Sequence, residues 1–371
     1  MRKVLGIILA FILVQTACRK EDKKEDIFPK PNGKDVVYNP TPYHLQLPSH
    51  FDFLIGQPYI PEDNPLTEEG VALGKKLFFE VRLSKNNLLS CASCHEPAEA
   101  FNDMGVDFSL GVNGQRGIRN AMPLFNLGWV KLQGSAFNWI GSAESLEEQA
   151  FGPVTDHLEM DEKWVNVEQK LQEDALYPPL FYETFGTEEI DSTLVVKAIA
   201  QYIRTLISAE SRFDNFVKLN LFRDAEGPIL NEQEIRGFQL FMAEGKGDCF
   251  HCHGDLSNPL LTDNKFKNNG LDLNPDSGLA EVTGNPNDVG KFRTPSLRNL
   301  IFTSLYMYDG RFETLREVVD FYTSTVQESS PNIDAVMFKP RDLSESEKDD
   351  LIAFLEAVTD SNFVNNPVHR K

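Results

Sequence analysis

Two copies of the motif Cys-x-x-Cys-His constrain this chain more than any other feature of its sequence. The chain has 371 residues and five cysteines, four of which lie in the two motifs. In c-type haem attachment, two such thiols bind one macrocycle and the adjacent histidine reaches the iron. The sequence therefore predicts two covalently attached haems, held by Cys91, Cys94, His95, Cys249, Cys252 and His253.

Other uses of paired cysteines fit this pattern less well. A Cys₄ zinc site needs its two pairs close together in the sequence, whereas these pairs lie far apart. Two disulfides or a thioredoxin-like redox pair would suit an oxidising compartment. Neither of these explains the histidine that follows each pair, and haem attachment does.

The N-terminal segment indicates export. A short basic start precedes an apolar run over residues 4–14, which is too short to span a bilayer. We expect residues 1–17 to be a signal peptide, and Cys18, which follows a small residue, to be lipidated after cleavage. Residues 18–50 would then tether a periplasmic protein to the outer- or inner-membrane surface. Simple cleavage to a soluble periplasmic protein is the alternative.

A repeated helical pattern leads into each cysteine motif. Thr67 is followed by Gly74 and a Leu-Phe pair before the first motif, and Asn231 by Gly237 and a Leu-Phe pair before the second. Apolar residues recur at helical spacing, and strand-like alternation is scarce. The sequence therefore predicts an all-α fold of two c-type cytochrome domains, each with one covalently attached haem and with long loops.

We expect the first domain over residues 51–220 and the second over residues 221–371, with a last helix that packs on either. Asn231 and Ser344 each precede a glutamate by three residues, which is the pattern of a capping box at a helix start.

The net charge of the chain indicates which partners it can bind. It has 36 Lys and Arg residues against 56 Asp and Glu, a formal net charge of −20. Such acidity argues against nucleic acid as a partner because phosphate is repelled. It is compatible with a basic electron carrier.

The chain resembles the bacterial dihaem cytochrome c peroxidases and the related MauG-type dihaem enzymes from about Leu66 to Leu355. Besides the cysteine motifs, the matching segments are Leu73-Gly74-Lys75, Leu77-Phe78-Phe79, Gly117-Ile118-Arg119-Asn120, Ser145-Leu146-Glu147-Glu148-Gln149-Ala150, Gly152-Pro153, Glu159-Met160, Arg293-Thr294-Pro295-Ser296-Leu297-Arg298-Asn299 and Asp309-Gly310-Arg311-Phe312.

The resemblance implies a division of labour between the two haems. The N-terminal haem would be the peroxide site, and the C-terminal haem would pass electrons. Glu159 would be the distal acid and base, Gln149 would orient the peroxide, and Pro153 would lie over the iron. Trp139 would relay electrons between the haems. A carboxyl group suits this chemistry because cleavage of the O–O bond requires a proton to be moved.

The resemblance also implies a calcium ion between the domains and a homodimer. The calcium ligands would be Asn120 and backbone carbonyls near Thr303 and Leu305.

The first haem departs from the usual peroxidase pattern. Val112 occupies the loop position where a histidine normally caps the iron of the resting oxidised enzyme. We therefore expect an open sixth position on this haem without prior reduction. His157 is a substitute ligand only in principle, and we interpret it as a surface residue.

The second haem departs as well. Alignment with the family motifs puts Tyr322 opposite His253, where peroxidases have a methionine, and a tyrosine there resembles MauG. A phenolate ligand lowers the reduction potential of the iron. Met307 and Met337 are the alternatives, and either would give a higher-potential haem for electron entry.

These features favour a periplasmic dihaem cytochrome c peroxidase that reduces hydrogen peroxide with electrons from a small cytochrome c or cupredoxin. The alternative is a MauG-type enzyme that uses peroxide to oxidise residues of a partner protein. A dihaem electron carrier is a third hypothesis, but a carrier gains nothing from an open iron.

Overall fold

The computed structural model describes residues 38–224, 227–339 and 341–371. The predicted signal peptide, Cys18 and the tether as far as residue 37 lie outside the described residues. The α-helices of this part are α1 (Ser49–Ile55), α2 (Glu68–Phe78), α3 (Leu146–Thr155), α4 (Trp164–Gln172), α5 (Tyr177–Phe185), α6 (Ser192–Arg204), α7 (Arg212–Phe222), α8 (Glu232–Met242), α9 (Phe250–His253), α10 (Ala280–Thr283), α11 (Leu315–Asp320), α12 (Glu345–Ala357) and α13 (Ser361–Asn365).

Strand structure is scarce, as predicted. Strands β1 (Phe266–Lys267) and β2 (Phe292–Arg293) pair antiparallel, with Phe266 opposite Arg293. Over the described ranges, no helix is long and apolar enough to cross a membrane. The predominantly helical fold confirms the predicted class.

Side-chain hydrogen bonds cap the N-termini of the helices that lead into the cysteine motifs. The Thr67 hydroxyl accepts a hydrogen bond from the backbone N–H of Gly70 at the start of α2. Asn231 and Glu234 form a reciprocal capping box at the start of α8. Ser344 begins α12 in the same way. These caps confirm the helix starts predicted from the sequence.

The glycine of the repeated pattern serves one purpose in both halves of the chain. A Cβ at Gly74 of α2 would overlap the carbonyl oxygen of Ala198 in α6. A Cβ at Gly237 of α8 would overlap the carbonyl oxygen of Asp350 in α12. Only glycine lets the backbones of these helix pairs approach so closely. The internal repeat in the sequence is therefore a repeated helix crossing beside each cysteine motif.

Two large apolar clusters lie beside the two motifs. The first includes Leu77 and Ile199 and packs against Cys91. The second includes Phe241 and Phe354 and packs against Cys249. Helix α7, which spans the expected domain boundary at residue 220, contributes Phe213 and Val217 to the second cluster.

The C-terminal helix α13 returns to the first motif. Phe363 and Val364 join a cluster with Ala92 and Phe101, which flank His95 in the sequence. Of the two positions expected for the last helix, the structure has the one on the N-terminal half.

The folded part of the chain begins before residue 51, earlier than predicted. The backbone N–H of Tyr43 donates to the Leu66 oxygen over 3.0 Å. His50 is buried, and its Nε2 lies 2.8 Å from Oδ1 of Asp214 in α7. Residues 41–50 are therefore fixed to the folded body. Local polar composition did not reveal this, because the partners are distant in the sequence.

Candidate functional site

The first cysteine motif lies on a short 3₁₀ turn, Cys91–Ser93, which begins at Ser90. The Nδ1 atom of His95 lies 3.1 Å from the backbone oxygen of Phe101. A carbonyl oxygen only accepts hydrogen bonds, so Nδ1 carries the proton and donates it. Nε2 therefore keeps its lone pair, which is the arrangement of a metal-binding histidine.

The second motif repeats this geometry. His253 ends α9, and its Nδ1 lies 3.0 Å from the backbone oxygen of Leu261. Burial lowers the pKa of His253 to about 4, and burial also lowers the pKa of His95. Both imidazoles are therefore neutral at pH 7, as ligation of iron requires.

The two carbonyl groups that orient these histidines come from unusual backbone. Phe101 has a φ of 57° and Leu261 a φ of 52°, in the left-handed region that few non-glycine residues adopt. Burial holds both residues there, and Phe101 packs against Phe363 with ring centroids 5.7 Å apart. Sequence reasoning missed both positions, because neither is a glycine or asparagine that would signal left-handed backbone.

The residues at both motifs fit a c-type haem. The four motif cysteines are free thiols. A cavity of about 210 Å³ adjoins the second motif and is lined mainly by apolar side chains. Its lining includes Cys249, Cys252, His253, Met307, Tyr322 and Met337. An apolar pocket with thiols, a neutral histidine and further donor side chains matches the requirements of an attached macrocycle.

The candidate ligands of the second site differ in their surroundings. Tyr322 lies in a π-helical turn, Phe321–Thr325, that continues α11, and such turns are frequent at functional sites. The Tyr322 hydroxyl accepts a hydrogen bond from Asn269 Nδ2 over 3.0 Å. The Met337 sulfur lies 3.8 Å from a guanidinium nitrogen of Arg341. Both methionines and Tyr322 line the same cavity.

Glu159 and Val112 are directly connected. The backbone N–H of Val112 donates to the Glu159 oxygen over 2.7 Å. The preceding Gly111 passes so close to Leu158 that a Cβ would overlap the Leu158 oxygen. The loop that carries Val112 is therefore fixed beside the predicted acid and base.

The Glu159 carboxyl group has a raised pKa. Burial by the surrounding protein raises its pKa to about 7, and the negative charge of Asp156 contributes. Glu159 is exposed at the protein surface, and both causes raise the pKa of its carboxyl group. Its charge in turn helps to raise the pKa values of Cys91 and Cys94, so it lies near the first motif. A carboxyl group of this kind exchanges protons readily at neutral pH.

Gln149 and Pro153 lie on α3, which precedes the turn that carries Glu159. The backbone N–H of Met160 donates to the Pro153 oxygen over 3.1 Å, which joins the Glu159 turn to the helix. The Gln149 side-chain oxygen accepts a hydrogen bond from Asn138 Nδ2 over 2.9 Å. The amide group of Gln149 is thus oriented by the residue that precedes Trp139. Sequence reasoning missed Asn138.

Trp139 joins the two halves of the chain. Its indole Nε1–H donates to the backbone oxygen of Asn120 over 2.7 Å. Its own backbone oxygen accepts from the N–H of Arg293 in β2, over 2.8 Å. The residue also lines the cavity that contains His253. This position suits a relay between two redox centres.

Other predicted residues have simpler surroundings. The His157 side chain is 76% exposed beside Asp156, as expected of a surface residue.

The Asn120 amide donates to the backbone oxygens of Val106 and Asp107. In the described part of the chain, no cluster of three or more His, Cys, Asp or Glu side chains surrounds a metal position. The predicted calcium ligands Asn120, Thr303 and Leu305 are an amide and carbonyls, which such a cluster does not include, so calcium stays a prediction.

Comparison with known proteins gives a consistent picture. The di-haem cytochrome c peroxidase family matches residues 68–221. A methylamine utilization protein MauG of Methylorubrum extorquens is 38% identical over 303 residues, which span 80% of each chain. A cytochrome-c peroxidase of Pseudomonas sp. strain SCT is 34% identical over 331 residues, which span 81% of this chain and 83% of the relative.

A solved structure shares the fold as well. The crystal structure of a MauG-like protein associated with microbial copper homeostasis matches with a TM-score of 0.76 and 32% identity. The match covers 88% of this chain and 98% of that one.

Proposed function

Because the chain belongs to the di-haem cytochrome c peroxidase family, we propose that it is a periplasmic enzyme that reduces hydrogen peroxide to water with electrons from a small cytochrome c or cupredoxin. The chain is a haem-dependent peroxidase by that membership. The observation that carries the finer proposal is Glu159, a carboxyl group with a pKa of about 7 beside the first cysteine motif.

The chain's own residues define the two redox sites. Cys91 and Cys94 would attach the first haem and His95 would bind its iron, and residues 249–253 would do the same for the second. Such haems, when bound, supply one-electron chemistry that side chains lack. Glu159 would accept a proton from peroxide and return it to the departing oxygen, so that water leaves. Gln149 would orient the peroxide, and Trp139 would carry electrons between the sites.

The first site would be open in the fully oxidised protein, because Val112 brings no donor atom to it. The variant Val112→His tests this point, since it restores an imidazole at that position. Wild-type protein should turn over without prior reduction, and Val112→His should require it. Leu110→His, at an exposed position of the same loop, is the matched control and should behave like the wild type. If wild-type protein also required prior reduction, the first site would not be open.

Tyr322 favours a second candidate function. Its hydroxyl reaches the cavity that contains His253, and a phenolate ligand would lower the potential of the second haem. A low potential suits a MauG-type enzyme, which uses peroxide to oxidise residues of a partner protein. Met307 or Met337 at the same position would favour electron entry and the peroxidase.

We also propose a membrane anchor, a calcium ion and a homodimer. The signal peptide and a lipid on Cys18 would anchor the protein to a membrane surface in the periplasm. A calcium ion at Asn120 and a homodimer would follow the family pattern.

A further inference from the structure

One side-chain amide contacts two of the candidate ligands of the second site. Asn269 Nδ2 lies 3.0 Å from the Tyr322 hydroxyl and 3.7 Å from the Met307 sulfur. An Asn amide nitrogen carries two hydrogens, so it can donate to both partners. All three residues line the cavity beside His253.

The backbone that carries Asn269 is held rigidly against the segment after Tyr322. Asn268 donates to the Ser330 hydroxyl over 2.9 Å and to the Pro331 oxygen over 2.7 Å. The Gly270 oxygen accepts a hydrogen bond from the N–H of Gln327 over 2.8 Å. The Asn269 amide therefore has a fixed position relative to the π-helical turn that carries Tyr322.

Met307 is fixed just as firmly from the other side. Its φ of 72° is in the left-handed region, which a methionine adopts only when its surroundings enforce it. The neighbouring Tyr306 hydroxyl donates to the Leu300 oxygen over 3.0 Å. Tyr308 stacks on Phe292 with ring centroids 3.9 Å apart. These anchors keep the Met307 sulfur at the cavity wall, within reach of the Asn269 amide.

We propose that Asn269 is a positioning residue that selects Tyr322 over Met307 as the side chain facing His253. It orients the phenol oxygen through a hydrogen bond of ordinary length and occupies the Met307 sulfur, a weak acceptor, with its second hydrogen. The proposal rests on the proposed function in one respect, namely that His253 binds a haem iron at this cavity.

The choice of ligand has a functional consequence. Histidine and methionine together raise the potential of a haem, whereas tyrosine lowers it. Asn269 would therefore decide whether the second site accepts electrons from a donor or stores oxidising equivalents. The Asn269 amide would thus decide between peroxide reduction with an electron donor and oxidation of a partner protein.

The test replaces Asn269 in the full-length protein that carries both haems. Asn269→Leu removes the amide at similar size, and Asn269→Ser is a second variant whose short hydroxyl cannot reach Tyr322. Absorption and electron paramagnetic resonance spectra of the second haem report the ligand, and a redox titration reports its potential. Haem content and circular dichroism show which variants are folded.

The expected result is the appearance of histidine–methionine spectra and a rise in the potential of the second haem. Combining Asn269→Leu with Met307→Leu should abolish those spectra, which assigns the sulfur to Met307. Folded variants with unchanged spectra would overturn the proposal, and so would a fall in potential with tyrosine still bound.

Two controls separate the possible failures. Gln327→Leu removes an exposed side-chain amide that donates to the Thr325 oxygen and contacts none of the candidate ligands, and it keeps the backbone N–H that donates to Gly270. If it gave the same spectral change, the effect would be general loosening and the proposal would be wrong. Tyr322→Phe should change the wild-type spectra. If it did not, tyrosine would not be the ligand and the proposal would fail, while peroxide turnover would test the proposed peroxidase separately.

Discussion

The acidity of Glu159 predicts a specific dependence of turnover on pH. Burial and the charge of Asp156 raise the pKa of this carboxyl group to about 7. Below that pH the group keeps its proton and cannot accept another from peroxide. Its ionised fraction rises from about 10% at pH 6 to about 90% at pH 8, so kcat/KM should rise about tenfold over this range.

Substitution should remove both the rate and its pH dependence. Glu159→Gln keeps the shape but cannot take up a proton, so we expect kcat/KM to fall by about 10²- to 10⁴-fold. The residual activity should be flat between pH 6 and pH 8. The assay is the initial rate of peroxide-dependent oxidation of a reduced small cytochrome c, measured across that pH range.

Two further variants make the test sharper. Asp156→Asn removes the neighbouring charge but keeps the oxygen that accepts from Leu158, so the midpoint should move to lower pH with the maximal rate retained. Glu144→Gln, at a carboxylate that is 84% exposed, should change nothing. A wild-type midpoint in Glu159→Gln, or an upward shift of the midpoint in Asp156→Asn, would contradict the role of Glu159.

Three other changes probe the supports of the site. Phe363→Ala should destabilise the protein by about 3–5 kcal/mol through the cavity it leaves against Phe101, and should alter the spectrum of the first haem but not of the second. Arg298→Met leaves the buried Asp214 carboxylate without its guanidinium partner, so the free energy of unfolding should fall by about 3–5 kcal/mol in denaturant titrations. Trp139→Phe removes the indole, whose Nε1–H donates to Asn120, and keeps the backbone bond to Arg293, so rapid-mixing experiments should show slower electron transfer between the haems while both haems stay bound.

Local sequence patterns predicted the features that depend on neighbouring residues. The helix that begins at Asn231 and the cysteine motifs follow from residues only a few positions apart. Gly74 and Gly237 were visible as a repeat, but only the structure explains them, because each glycine faces a carbonyl more than a hundred residues away.

The features that sequence reasoning missed all depend on contacts between distant segments. The left-handed backbone at Phe101 is held by packing from the C-terminal Phe363. Asn269 acquires its role only because the chain brings Tyr322 and Met307 to it. Residues 41–50 looked like a tether because their partners, such as Asp214, lie far along the chain.

Our main proposal is that the first site reacts with peroxide without prior reduction and that Glu159 transfers the proton. The most direct measurement mixes fully oxidised protein, carrying both haems, with peroxide and a reduced small cytochrome c, and records the haem spectra in the same cuvette. We expect immediate turnover with no lag. No turnover, together with a long-lived oxidised state spread over both haems, would contradict the peroxidase and support oxidation of a partner protein instead.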